Sequence, residues 1–122
     1  IYKPSNTEMN MKTIIYKTEP VQDNPHGVDV RKLYDDPSAQ IMHIVLKPGE
    51  SLKPHKTPVD ATFYVLEGRP TIHIGDESIP QTQDTLIESP AGILHYISNE
   101  TGEVARILVI KAPRPENKSI VL

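Results

Sequence analysis

The 122-residue chain has no cysteine and no tryptophan, and its aromatic rings are one phenylalanine and five tyrosines. Without thiols, disulfides, thiolate zinc centres, iron–sulfur clusters and cysteine nucleophiles are all excluded. Any metal would have to be held by histidine, carboxylate, hydroxyl or water. The scarcity of large rings argues against a stacking platform for nucleic acid. No apolar run approaches the roughly 18 residues of a membrane-spanning helix. The formal net charge of -3 supplies no broad basic surface for nucleic acid or anionic lipid. The serines are not framed by a nucleophile elbow, and there is no glycine-rich phosphate loop. The expectation is a cytoplasmic protein with neither a nucleic-acid nor a membrane partner. The triplets beginning at Asn99 and Asn117 then read as turn and tail chemistry rather than glycosylation sites.

What the chain does contain is turn chemistry. Twelve prolines and six glycines punctuate short apolar and β-branched runs at 11–18, 40–47, 61–66, 71–74, 85–88, 94–98 and 104–111. Between them lie KPGES, LEGRP, GDES, SPAG and NETGE, each rich in residues that reverse a chain. A spacing of about ten residues between runs indicates an all-β sandwich or barrel. Residues 21–38, with Asn-Pro, His-Gly and Asp-Asp-Pro, read as loop and turn. The 40–47 and 104–111 runs are almost continuously apolar, as strands covered on both faces are. The length suits one domain with one core. Three parts are expected: an N-terminal tail over 1–20 that can serve as an exchanged strand, a barrel over 21–112, and a C-terminal tail over 113–122.

Two motifs give the barrel a family. Gly49 is followed after five residues by His55, and the stretch closes at FYVLEG with Gly68. Pro90-Ala91-Gly92 is followed by His95 and then Asn99, with Asp84 where a leading glycine would stand. This frame resembles the cupin family, small jelly-roll barrels built as a double-stranded β-helix. In metal-binding cupins two histidines and a glutamate of the first motif, with the histidine of the second, converge on one ion. Carried onto this sequence, those positions are His55, Thr57, Ala61 (Thr62 by the longer spacing) and His95.

The resemblance implies that His55 and His95 share a cavity and are the metal-ligand positions, with Thr57, Ala61, Phe63, His43 and His73 as pocket candidates. Two imidazoles make a weak site for a divalent Zn, Fe, Mn or Ni ion, which ordinarily takes three or more protein ligands. Asp60 is one residue short of the glutamate position and should point to the other strand face. Tyr96 should face away from His95, Arg106 should sit at a solvent-facing or edge position, and His26 reads as a loop residue. The first expectation is therefore a cupin that binds a small polar molecule in its barrel with a degraded metal site. A metal-dependent dioxygenase, isomerase or lyase on a small organic substrate is the alternative, with a third ligand from His43, His73 or Asp60. A regulatory or interaction module is the third. Homodimerisation is what the resemblance implies for partners.

Overall fold

A computed structural model describes residues 11–116 and 120–121. Among the described residues ten strands form two five-stranded antiparallel sheets. The strands are β1 Asp29–Asp36, β2 Ala39–Leu46, β3 His55–Lys56, β4 Ala61–Glu67, β5 Thr71–Ile74, β6 Glu77–Pro80, β7 Leu86–Ser89, β8 His95–Ser98, β9 Ala105–Lys111 and β10 Ile120–Val121. One sheet runs β1-β2-β9-β4-β7 and the other β10-β3-β8-β5-β6. The expected all-β class and double-stranded β-helix architecture are what the structure shows.

Alternation along the strands places the core. Ile44 and Leu46 of β2, Ala61, Phe63 and Val65 of β4, and Ala105, Ile107 and Val109 of β9 are buried on one face of the first sheet. Ile72 and Ile97 face them from the second sheet. Each fully buried side chain of this size contributes roughly 1.5–3 kcal/mol of transfer free energy, so this interleaved row is the main reason the sheets stay together.

The turns explain the motif residues. Gly68 has φ +79°, and a Cβ there would collide with the Val104 carbonyl oxygen and lie 2.9 Å from the Ala105 Cα. That glycine lets the β4–β5 corner press against the start of β9. Asp84, which replaces the family's glycine, keeps the left-handed conformation at φ 64°. Asn99 is buried, and its amide nitrogen donates to the carbonyls of Leu46 and Glu103 while its oxygen accepts from Thr101. It staples two loops.

Three sequence expectations are corrected. Residues 11–18 form no strand; a 3-10 turn at Tyr16–Thr18 packs Tyr16 on the outer face of the chain's own first sheet, stacked on His43 at 3.9 Å between ring centroids. Arg31 holds that turn by donating to the Tyr16 and Lys17 carbonyls. The first ten residues of the expected N-terminal tail lie outside the described residues. The segment expected as loop contains β1, an edge strand whose charged residues obscure the inward alternation of Val28 and Val30. GDES is a turn only at its start, since Glu77–Pro80 forms the wholly exposed edge strand β6.

Candidate functional site

Between the sheets lies a cavity of about 490 Å³. Val30, Met42, Ile44, Phe63, Ile97 and Val109 form its apolar wall, and His26, His55, His95, Gln40 and Lys111 supply its polar side. The parity that builds the core continues into this site. Lys111 follows Ala105, Ile107 and Val109 at steps of two along β9, and His95 precedes Ile97 by two along β8. His55 enters from β3, which pairs with β8 so that His55 lies opposite His95.

Hydrogen-bond chemistry settles the state of the two central histidines. His55 Nδ1 lies 2.9 Å from the Lys53 carbonyl, which can only accept, so Nδ1 carries hydrogen. Burial and the Lys111 charge hold the His55 pKa below its ordinary value, so the ring is neutral near pH 7 and its Nε2 is bare. That atom accepts from His95 Nε2–H at 3.1 Å. His95 Nδ1 in turn accepts from the Ser89 hydroxyl at 2.7 Å. A directed chain results, from Ser89 through His95 and His55 to a backbone carbonyl. Burial, with His55 and Lys111 nearby, lowers the His95 pKa to about 4.

His26 belongs to the same site. The Lys53 backbone N–H donates to His26 Nδ1 at 2.7 Å, so in the neutral ring the hydrogen sits on Nε2. One residue, Lys53, therefore clips two rings by its main chain. The side chain of Asn24 holds the loop, donating to the Gln22 and Val28 carbonyls and accepting from the His26 N–H. The His26 ring centroid is 5.2 Å from that of His55, and burial first, then His55, lowers its pKa to about 4.

Lys111 lines the cavity together with the exposed acids Asp23 and Glu116. Lys111 is drawn below its ordinary lysine pKa by desolvation, and its charge adds a smaller contribution to the desolvation that leads in lowering all three imidazoles. Ala61, the inward residue at the family's glutamate position, is the direct cross-strand partner of Lys111 and of Ser89. Cross-strand partners hold their Cβ atoms about 4.5–5.5 Å apart. The carboxylate expected in a metal-binding relative is thus absent and an ammonium stands beside its place.

Of the residues expected at the site, the structure brings His55, His95 and Phe63 to the cavity. Thr57 is buried, but its hydroxyl donates to the Val59 carbonyl at 2.7 Å and it lies outside the cavity lining, as does Ala61. His43 and His73 are corrected. His43 faces the outer side of the first sheet, where it accepts from Arg106 and stacks on Tyr16. His73 faces outward from the second sheet, stacked on Tyr96 and bonded to the hydroxyls of Ser78 and Ser98. For His43 a nearly continuous apolar run hides the parity, whereas His73 alternates with Ile72 and Ile74, so its outward face could be read from the sequence. Asp60 is exposed and accepts from the Ala91 N–H. Sequence reasoning missed His26, Ser89 and Lys111. The step-of-two count along β9 could have found Lys111, whereas no local signal marks the loop residue His26.

The donor set does not fit a resident metal. His55 and His95 offer two nitrogens, Thr57 has committed its hydroxyl hydrogen to the backbone, and Ala61 offers nothing. Among the described residues no group of three His, Cys, Asp or Glu side chains is arranged to hold an ion. A neighbouring ammonium adds repulsion where metal sites ordinarily place negative charge.

Residues 42–111 match the cupin domain model, more than half of the chain. The chain therefore belongs to the cupin family. It is 33% identical over 78 residues to the tetracenomycin polyketide synthase protein TcmJ of Streptomyces glaucescens, covering 61% of this chain and 52% of that protein. The chain thus spans about half of that relative's length. Among solved structures it is similar to TT1209 of Thermus thermophilus, at 27% identity and a TM-score of 0.74, covering 86% of this chain and all of that one. The polyketide cyclase RemF of Streptomyces resistomycificus shares the fold at 20% identity and a TM-score of 0.78, covering 93% and 86% of the two chains. No helix among the described residues is long and apolar enough to cross a membrane.

Proposed function

We propose that this cupin binds a small organic molecule directly in its barrel cavity, without a resident metal. The observation that carries this reading is the pairing of an apolar-walled 490 Å³ cavity with convergent His26, His55, His95 and Lys111. Volumes of about 300–1,000 Å³ with a few placed polar groups are usual for small-ligand sites. The names of TcmJ and RemF refer to polyketide chemistry, which supports an organic ligand over a macromolecular one. Binding is the role this cavity can fill without further parts; a ligand's polar group would engage His55 and His95 only by replacing the hydrogen bond between them.

The test is a thermal-shift panel of aromatic and alicyclic acids, amides, alcohols and amines on untagged, chelator-treated protein. Saturable stabilisation by at least one class is expected, lost when Met42→Trp fills the cavity. No shift from any compound would overturn the reading.

A further inference from the structure

We propose that the ligand of this cavity is a neutral organic molecule with an apolar body and a carbonyl group, the carbonyl oxygen accepting from the His26 Nε2–H and the Gln40 side-chain amide. This rests on the reading of the cavity as a small-molecule site and adds the chemical class of its occupant.

Three observations converge on it. The first is that the deep polar groups are already satisfied within the protein. Ser89, His95, His55 and the Lys53 carbonyl form a closed chain of hydrogen bonds, and Lys111 has an interaction of its own. The second is what this leaves over. His26 Nδ1 is engaged by the Lys53 N–H, so its Nε2–H remains as a donor, and Gln40 brings a side-chain amide; among the described residues neither group has a protein partner. Gln40 precedes Met42 and Ile44 by steps of two along β2, which turns it into the cavity. It lies directly opposite Lys111, whose charge reaches His26, so the two donors share the polar end of the space. The third is charge. The three imidazoles are neutral near pH 7, and the charged residues of the lining are Lys111 and the exposed acids Asp23 and Glu116. That balance holds no surplus of positive charge to offset the desolvation of a carboxylate, and an ammonium ligand would enter beside Lys111. A neutral carbonyl oxygen costs less to desolvate and has two lone pairs for two donors. Met42, Ile44, Phe63 and Ile97 face the remainder of the space, so the body of the ligand is apolar.

The experiment is isothermal titration calorimetry with three matched pairs: benzamide and benzoate, phenylacetamide and phenylacetate, cyclohexanecarboxamide and its carboxylate. Wild type, Gln40→Leu and His26→Phe are compared, with circular dichroism and melting curves to establish that the variants fold. At least one amide is expected to bind about tenfold or more tighter than its acid, because a buried carboxylate without a matching charge is strongly disfavoured. Each variant should weaken that amide about threefold or more, the net worth of one hydrogen bond. If the acids bind as tightly as their amides or tighter, the neutral class is overturned while the small-molecule reading stands. If amides bind and neither variant weakens them, the assignment to His26 and Gln40 is overturned. If none of the six compounds binds, the inference falls, and the wider thermal-shift panel decides the parent reading. Should either variant fail to fold, Gln40→Met and the wild-type amide-to-acid ratio carry the same test.

Discussion

His95 Nε2 donates its hydrogen to His55 Nε2 across 3.1 Å, and each ring has its other nitrogen fixed by a separate partner. The two histidines at the family's ligand positions are therefore hydrogen-bonded to each other in defined, different tautomers. Long-range nitrogen–proton NMR at pH 7 should show His55 with hydrogen on Nδ1 and His95 with hydrogen on Nε2. Ser89→Ala should release His95 from that single form, because its Nδ1 loses the hydroxyl donor. Averaged tautomers in the wild-type protein would contradict the directed chain.

Acid should destabilise the fold before carboxylates titrate. His43 and His95 are buried, and desolvation is the leading cause that lowers each pKa from 6.5 to about 4. Between pH 6.5 and 4 the unfolded chain then binds more protons than the folded one, so stability rises with pH across this window and is lost on acidification. At roughly 1.4 kcal/mol per pKa unit, a fall from 6.5 to about 4 makes each buried ring account for on the order of 3 kcal/mol. Denaturant unfolding at pH 7 and at pH 4.5 measures the slope, which His43→Gln should make shallower. A stability flat over that range would refute the neutral, buried state of both rings.

Asp84 holds a left-handed backbone at φ 64°, and its carboxylate accepts from the Tyr64 hydroxyl at 3.3 Å. An aspartate tolerates that conformation at some cost, and a β-branched residue tolerates it poorly. Asp84→Gly is expected to be neutral or to stabilise by up to about 1 kcal/mol, and Asp84→Val to destabilise by about 1–2 kcal/mol. Equilibrium unfolding of the two variants decides; a stabilising valine would show that the turn does not need positive φ.

The fold was legible because its determinants are local or motif-bound. Turn residues at regular spacing gave the strand-rich class, and Gly49, Gly68, Pro90, Gly92 and Asn99 sit at corners whose geometry admits few alternatives. The edge strand β1 escaped because an edge needs only one buried face, so Asp29, Arg31 and Asp35 read as loop. At the site, His55 and His95 were legible by motif position. His43 was misplaced because assigning a face requires the phase of alternation, which a strand of mixed Ile, Val and His does not reveal; His73 had a readable phase, alternating with the inward Ile72 and Ile74. His26 was out of reach, since only the folded loop brings it beside His55.

Metal content of untagged protein by elemental mass spectrometry, for wild type and for His55→Ala with His95→Ala, tests the central claim most directly. Far less than one metal per chain in wild type, unchanged in the double variant, is the predicted result. Near-stoichiometric metal that disappears in the double variant would contradict it and return the two histidines to the role of ligands.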